Sequence, residues 1–131
     1  MKYEIARSVV DGKGLLAVHL NGIDHHARRA PDRLGVNPLH LMGVYRDPSG
    51  RFYLCEQHPV VTDGMTGDLG WEWRLYDDFA GPVAKPSYLP MMDVDRVLPL
   101  SGGALEYDMA ANEGFTHIGA WINVAADAVG R

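Results

Sequence analysis

Gly12-Lys13-Gly14-Leu15-Leu16-Ala17-Val18-His19-Leu20 is the stretch that decides the fold. A glycine-bearing turn leads directly into a continuous apolar run. A strand with one wet face would alternate apolar and polar residues. This one does not, so it reads as a strand covered on both faces, the usual condition of a parallel strand. Just upstream, Lys2 to Asp11 carries Ile5, Ala6, Val9 and Val10 at helical spacing, and Gly12 and Gly14 supply a stop. No Ser, Thr, Asp or Asn precedes this helix as a cap, so the chain is expected to open inside a helix.

Downstream the pattern changes. Residues 21 to 42 read as a long loop punctuated by Asn21-Gly22, Ala30-Pro31 and Asn37-Pro38. A hairpin follows: Gly43 to Arg46, a turn at Asp47-Pro48-Ser49-Gly50, then Arg51 to Glu56. Proline second and glycine fourth suit a type I turn. Residues 57 to 70 read as a second loop, and Trp71 to Tyr76 as a third antiparallel strand. The prolines between Asp77 and Gly103 predict an irregular segment. Phe115, Ile118, Ile122, Ala125 and Val129 advance by three and four residues, with Trp121 widening the stripe, which predicts a helix over 114–129.

A parallel strand at 15–20 needs parallel neighbours reached by crossovers. Nothing downstream alternates strand and helix to supply them. The expectation is therefore part of an α/β sandwich, its sheet completed by another chain or by further protein ahead of Met1.

Composition narrows the function classes. The chain has 131 residues and a formal charge of −5, and Arg28-Arg29 is its only adjacent basic pair. Binding nucleic acid through phosphate neutralisation is disfavoured. One cysteine, Cys55, excludes an internal disulfide and fits a reducing compartment. Leu15-Leu16-Ala17-Val18 is far too short to cross a bilayer, and Met1-Lys2-Tyr3-Glu4 lacks the apolar region of a signal peptide. A soluble cytoplasmic protein with no membrane partner is expected.

Three separated stretches resemble the TIR-like proteins of bacterial anti-phage defence, the group that includes the TIR component of Thoeris systems. Tyr3-Glu4-Ile5-Ala6-Arg7-Ser8 running into Gly12 to Val18 is similar to the family's glutamate-bearing helix and the Gly-Leu-Leu strand after it. Gly35-Val36-Asn37-Pro38-Leu39 resembles its Gly-x-Asn-Pro loop. Tyr107-Asp108, Gly114-Phe115, Trp121-Ile122, Ala125-Ala126 and Gly130-Arg131 resemble its closing pattern, with Met109 in place of the family's tryptophan. Residues 57 to 103 match no motif of the family.

The resemblance implies that residues 1–131 are the C-terminal portion of one TIR-like domain. The implied fold is α/β: a partial flavodoxin-like parallel sheet with flanking helices, plus an antiparallel hairpin and meander inserted in it. It implies NAD as substrate rather than a permanently bound cofactor, and Glu4 as the catalytic carboxylate. Many TIR domains cleave the nicotinamide–ribose bond, and a carboxylate beside the ring stabilises the oxocarbenium-like ribose that results. Thoeris-type members are expected to release a cyclic or rearranged ADP-ribose as a signal. The implied partners are a second copy in a homo-oligomer, or a chain supplying the missing N-terminal half. A non-catalytic interaction module is the rival function.

Other residues carry plainer readings. Glu4 also suits a solvated position near a helix start, where a negative charge favours the dipole, and Ser8 lies one turn on. His25-His26 would need further ligands, and no histidine pair shows zinc-site spacing, so no metal is expected. His19 reads as a core histidine, Asp77-Asp78 and Asp93-x-Asp95 as solvated loop acids, Cys55 as a residue without a catalytic partner, and Trp71 and Trp73 as packing on one face of the sheet.

Overall fold

The computed structural model describes residues 1–20, 37–65, 67–109 and 111–130. Helix α1 (Lys2–Val10) forms where the apolar spacing predicts it and buries Ile5, Ala6 and Val9. Met1 gives it no side-chain cap. It ends in a Schellman motif. Gly12 takes the left-handed φ of +67°, its N–H donates to Val9 O at 3.1 Å, and Lys13 N–H donates to Ser8 O at 2.9 Å. That turn delivers the chain into β1 (Leu16–His19).

β1 lies parallel to β6 (Leu105–Asp108), with Leu16 opposite Leu105 and His19 opposite Asp108. The parallel neighbour therefore does come from downstream, contrary to the expectation that none would. β6, Leu105-Glu106-Tyr107-Asp108, does alternate apolar and polar residues, but at only four residues it is too short for that pattern to mark a strand. Among the described residues these two strands form the whole parallel sheet, so one edge of β1 has no strand beside it. Its side chains are half-buried rather than fully covered.

The second sheet is antiparallel, in the order β4-β3-β2-β5. β2 (Met42–Arg46) and β3 (Phe52–Asp63) make the expected hairpin. Its turn is held by Gly50 N–H to Asp47 O and by Asp47 Oδ1, which accepts from Ser49 and from Arg51 N–H. β3 continues through Pro59 to Asp63, and β4 (Asp68–Leu75) begins before Trp71, so most of residues 57–70 is strand rather than loop. Gln57 N–H bonds Leu41 O on the β2 side. Residue 59, two positions on, points its nitrogen the same way, past the end of β2, where a proline costs no ladder bond.

The segment 77–103, expected to be irregular, contains β5 (Arg96–Pro99) on the sheet edge beside β2, and short 3-10 turns at Asp77–Phe79 and Leu100–Gly102. Of the predicted loop at 21–42, residues 21–36 lie outside the described residues, as do His25-His26 and Arg28-Arg29. Pro38–His40 form a 3-10 turn capped by Asn37.

Side chains alternate along β1. Leu15 and Ala17 pack against a core made by α1 and the antiparallel sheet, where Met42, Val44, Leu54 and Leu100 are fully enclosed. Leu16 turns the other way, toward Ile122 and Ala125 of helix α2 (Gly114–Asp127). α2 buries Trp121 and Ala125, but Ile118 and Ile122 of the apolar stripe stand exposed, as does Val124 outside it. The architecture is α/β, with a parallel and an antiparallel sheet.

Candidate functional site

Glu4 sits on the first turn of α1 and is 74% exposed in its side chain. Oε2 lies 2.9 Å from the α-amino group of Met1. The hydrogen bond to that group holds the carboxyl below its ordinary value, helped by a backbone hydrogen bond, so Glu4 is anionic at neutral pH. Glu4, Ser8, Met1, Ile5 and Leu15 line a shallow cleft of about 420 Å³. Ser8 shares the face of Glu4 as its spacing predicts, and its hydroxyl donates to the Glu4 backbone carbonyl at 2.9 Å.

The cleft of Glu4 meets a larger one, about 440 Å³, through Met1, Ile5 and Leu15. This second cleft is lined by Leu15 to Leu20, along β1, and by Asn37, Pro38 and Leu39. Its walls are mostly apolar, with His19 and Asn37 as the polar groups. A volume of this size suits a small organic ligand.

Lys2, Glu56 and His58 fix α1 to the antiparallel sheet beside Glu4. Lys2 Nζ pairs with Glu56 Oε2 at 3.0 Å, and Glu56 Oε1 meets His58 Nε2 at 2.6 Å. Burial pushes the Glu56 carboxyl up, but the hydrogen bonds from Lys2 and His58 outweigh it and leave it below the usual range. Tyr3 also packs its ring on Phe79 at 5.6 Å. The first turn of α1 is thereby held in place without a cap.

His19 is not a core histidine. Its side chain is 17% exposed and hydrogen-bonds Glu106 on the neighbouring strand. The pair joins residues 87 apart, so no spacing rule could have found it. The same is true of His40 Nδ1 and Ser101 Oγ, 2.6 Å apart and separated by 61 residues.

The remaining candidates are structural. Asp78 and Asp95 accept hydrogen bonds from Tyr76 and Tyr45. Cys55 is buried, and its thiol is pushed up to about 12 by that burial, which removes the thiolate needed of a nucleophile. Trp73 packs its ring over Gly43, whereas Trp71 stands 60% exposed on the edge strand. Among the described residues no three His, Cys, Asp or Glu side chains are grouped to hold a metal ion, and no helix is long and apolar enough to cross a membrane.

No family model matches the chain, and no curated protein matches it either.

Proposed function

We propose that this chain is the C-terminal portion of a TIR-like domain that cleaves NAD to make a signal in bacterial anti-phage defence, with Glu4 as the catalytic carboxylate. The observation that carries the reading is the position of Glu4: ionised and solvent-facing on the rim of an apolar groove along the edge of β1 that carries no strand among the described residues. In this reading the sheet is flavodoxin-like, and further protein adds a parallel strand along that edge and supplies the facing wall of the pocket.

The chemistry asked of Glu4 is electrostatic. When the C1′–N bond of the nicotinamide riboside breaks, its electron pair leaves with nicotinamide and positive charge spreads over C1′ and the ring oxygen. An ionised carboxylate beside the ring stabilises that charge most where water is excluded. Water then adds at C1′ and loses a proton to give ADP-ribose; a base nitrogen of the same nucleotide attacking instead closes a ring. Orientation supplies a large share of such rate enhancement, so the second wall decides whether the carboxylate acts.

A rival reading, a non-catalytic docking module, draws on a different observation: Ile118, Ile122 and Val124 are exposed on one helix. The two readings separate in one assay. Nicotinamide release from NAD is followed by chromatography for the chain, for the chain extended by any reading frame upstream of Met1, and for Glu4→Gln in both backgrounds. Release lost in Glu4→Gln is the expected result. No release from either protein overturns the catalytic reading and leaves the docking one.

A further inference from the structure

The polar residues around His19, the last residue of β1, are spread through the sequence but converge on one face of the parallel strands. Glu106 lies opposite Ala17, and His19 is the next residue on the same face of β1, so the two side chains project together toward the α1 side of the sheet. His19 Nε2 bonds Glu106 Oε1. Asn37 is 4% exposed; its Oδ1 accepts from Leu39 N–H at 2.9 Å, which leaves its amide to hydrogen-bond Glu106. The His40 imidazole acts on the same carboxylate electrostatically, with its Nδ1 held by Ser101. Glu106 keeps 42% of its side chain open to solvent.

His19 and Asn37 are polar groups of a groove that shares Met1, Ile5 and Leu15 with the cleft of Glu4. In open α/β sheets ligands bind outside the carboxyl ends of parallel strands, and an acidic side chain there accepts hydrogen bonds from ribose hydroxyls. We propose that His19, Glu106, Asn37, His40 and Ser101 form a polar subsite that takes the ribose-phosphate portion of the nucleotide, a proposal that rests on the NAD-processing reading of the same groove. The Glu106 carboxylate, fixed by His19 and Asn37 yet open on one side, accepts from the vicinal hydroxyls of the sugar. The His40–Ser101 pair supplies a donor to a phosphate oxygen, whichever of the His40 Nε2–H and the Ser101 hydroxyl their mutual hydrogen bond leaves free. The apolar wall along Leu15 to Leu20 takes the flat base.

The probe is ADP-ribose, which has no nicotinamide bond to cleave. Full-length chain labelled with ¹⁵N at histidine is titrated with it, and the imidazole resonances of His19 and His40 are followed by NMR while calorimetry gives the affinity. Saturable movement of both imidazoles, with His117 on α2 unmoved, is expected. Glu106→Gln, which keeps the side chain's shape, is expected to weaken binding at least tenfold; His117→Gln leaves it within twofold. Because the wild-type titration needs no variant to fold, unmoved His19 and His40 resonances overturn the proposal outright. An affinity unchanged by Glu106→Gln does the same. Glu4-dependent nicotinamide release with these imidazoles unmoved would defeat the subsite and spare the catalytic reading. Their movement without release would do the reverse.

Discussion

Tyr107 and Trp121 stack face to face, with ring centroids 4.2 Å apart and planes 4° from parallel. Tyr107 belongs to β6 and Trp121 to α2, so this stack fastens the last helix to the parallel sheet. Trp121 is buried whereas Ile122 beside it is 54% exposed. Truncating a buried tryptophan removes its transfer free energy and leaves a cavity, so Trp121→Ala is expected to cost about 3–5 kcal/mol. Ile122→Ser should stay within about 0.5 kcal/mol, as exposed positions do. Urea unfolding followed by circular dichroism separates the two. Equal midpoints for the two variants would show that α2 does not dock through this ring.

Two glycines predict opposite signs. A Cβ on Gly14 would fall 2.0 Å from the carbonyl oxygen of Ala125, backbone against backbone, where nothing flexible can yield. Gly14→Ala is expected to destabilise by about 1–3 kcal/mol as α2 is forced off the sheet. Gly119 lies mid-helix with open space around its would-be Cβ. Gly119→Ala should stabilise the chain by roughly 0.8–1 kcal/mol through helix propensity. Thermal melts of the two variants must therefore shift in opposite directions.

The legible parts of the fold are those whose signals are local. α1 shows itself by a four-residue apolar spacing and a glycine stop, the β2–β3 hairpin by Asp47-Pro48-Ser49-Gly50, and β1 by an unbroken apolar run. What sequence reading misses is set by distant neighbours. β5 ends in Pro99, which reads as a strand breaker until its place on the sheet edge is known. Pro59 misleads in the same way. The stripe of α2 is read correctly as a helix, yet Ile118 and Ile122 lie exposed because periodicity reports that a face is apolar, not that anything covers it. At the groove, Glu4 and Ser8 are adjacent by helical spacing and are seen together. His19 and Glu106 meet only because β1 and β6 pair.

That strand pairing also sets a pH dependence. The hydrogen bond from His19 lowers the Glu106 carboxyl below its usual 4.5; burial opposes this, and Asn37 and His40 reinforce it. A carboxyl whose value is depressed on folding adds stability that is fully present above its unfolded value and is lost as pH falls through the folded one. Glu56 is shifted in the same direction by Lys2 and His58, against its burial. Urea midpoints are therefore expected to hold above about pH 5 and to decline below the ordinary glutamate range. Glu106→Gln should lessen that acid-side slope. A slope unchanged in Glu106→Gln would mean that the cross-strand pair does not form in solution.

Glu4 and Lys2 lie two residues apart on one helical turn yet should respond oppositely to mutation. Glu4 is exposed, and its carboxylate pairs with a chain terminus equally open to water, so Glu4→Gln is expected to leave the urea midpoint unmoved. Lys2 instead ties the turn to the sheet through Glu56 Oε2 and, at 3.5 Å, the Gln57 carbonyl oxygen. Lys2→Met leaves the half-buried Glu56 with His58 alone, which should loosen the turn. Amide hydrogen exchange reads this directly. In Lys2→Met the amides of Ile5 and Ala6 should exchange at least severalfold faster, whereas in Glu4→Gln they keep wild-type rates. If NAD cleavage then fails in both variants, the two failures have different causes: a missing charge in Glu4→Gln, and a carboxylate no longer held over the groove in Lys2→Met. Equal exchange in all three proteins would remove Lys2 from any account of how Glu4 is positioned.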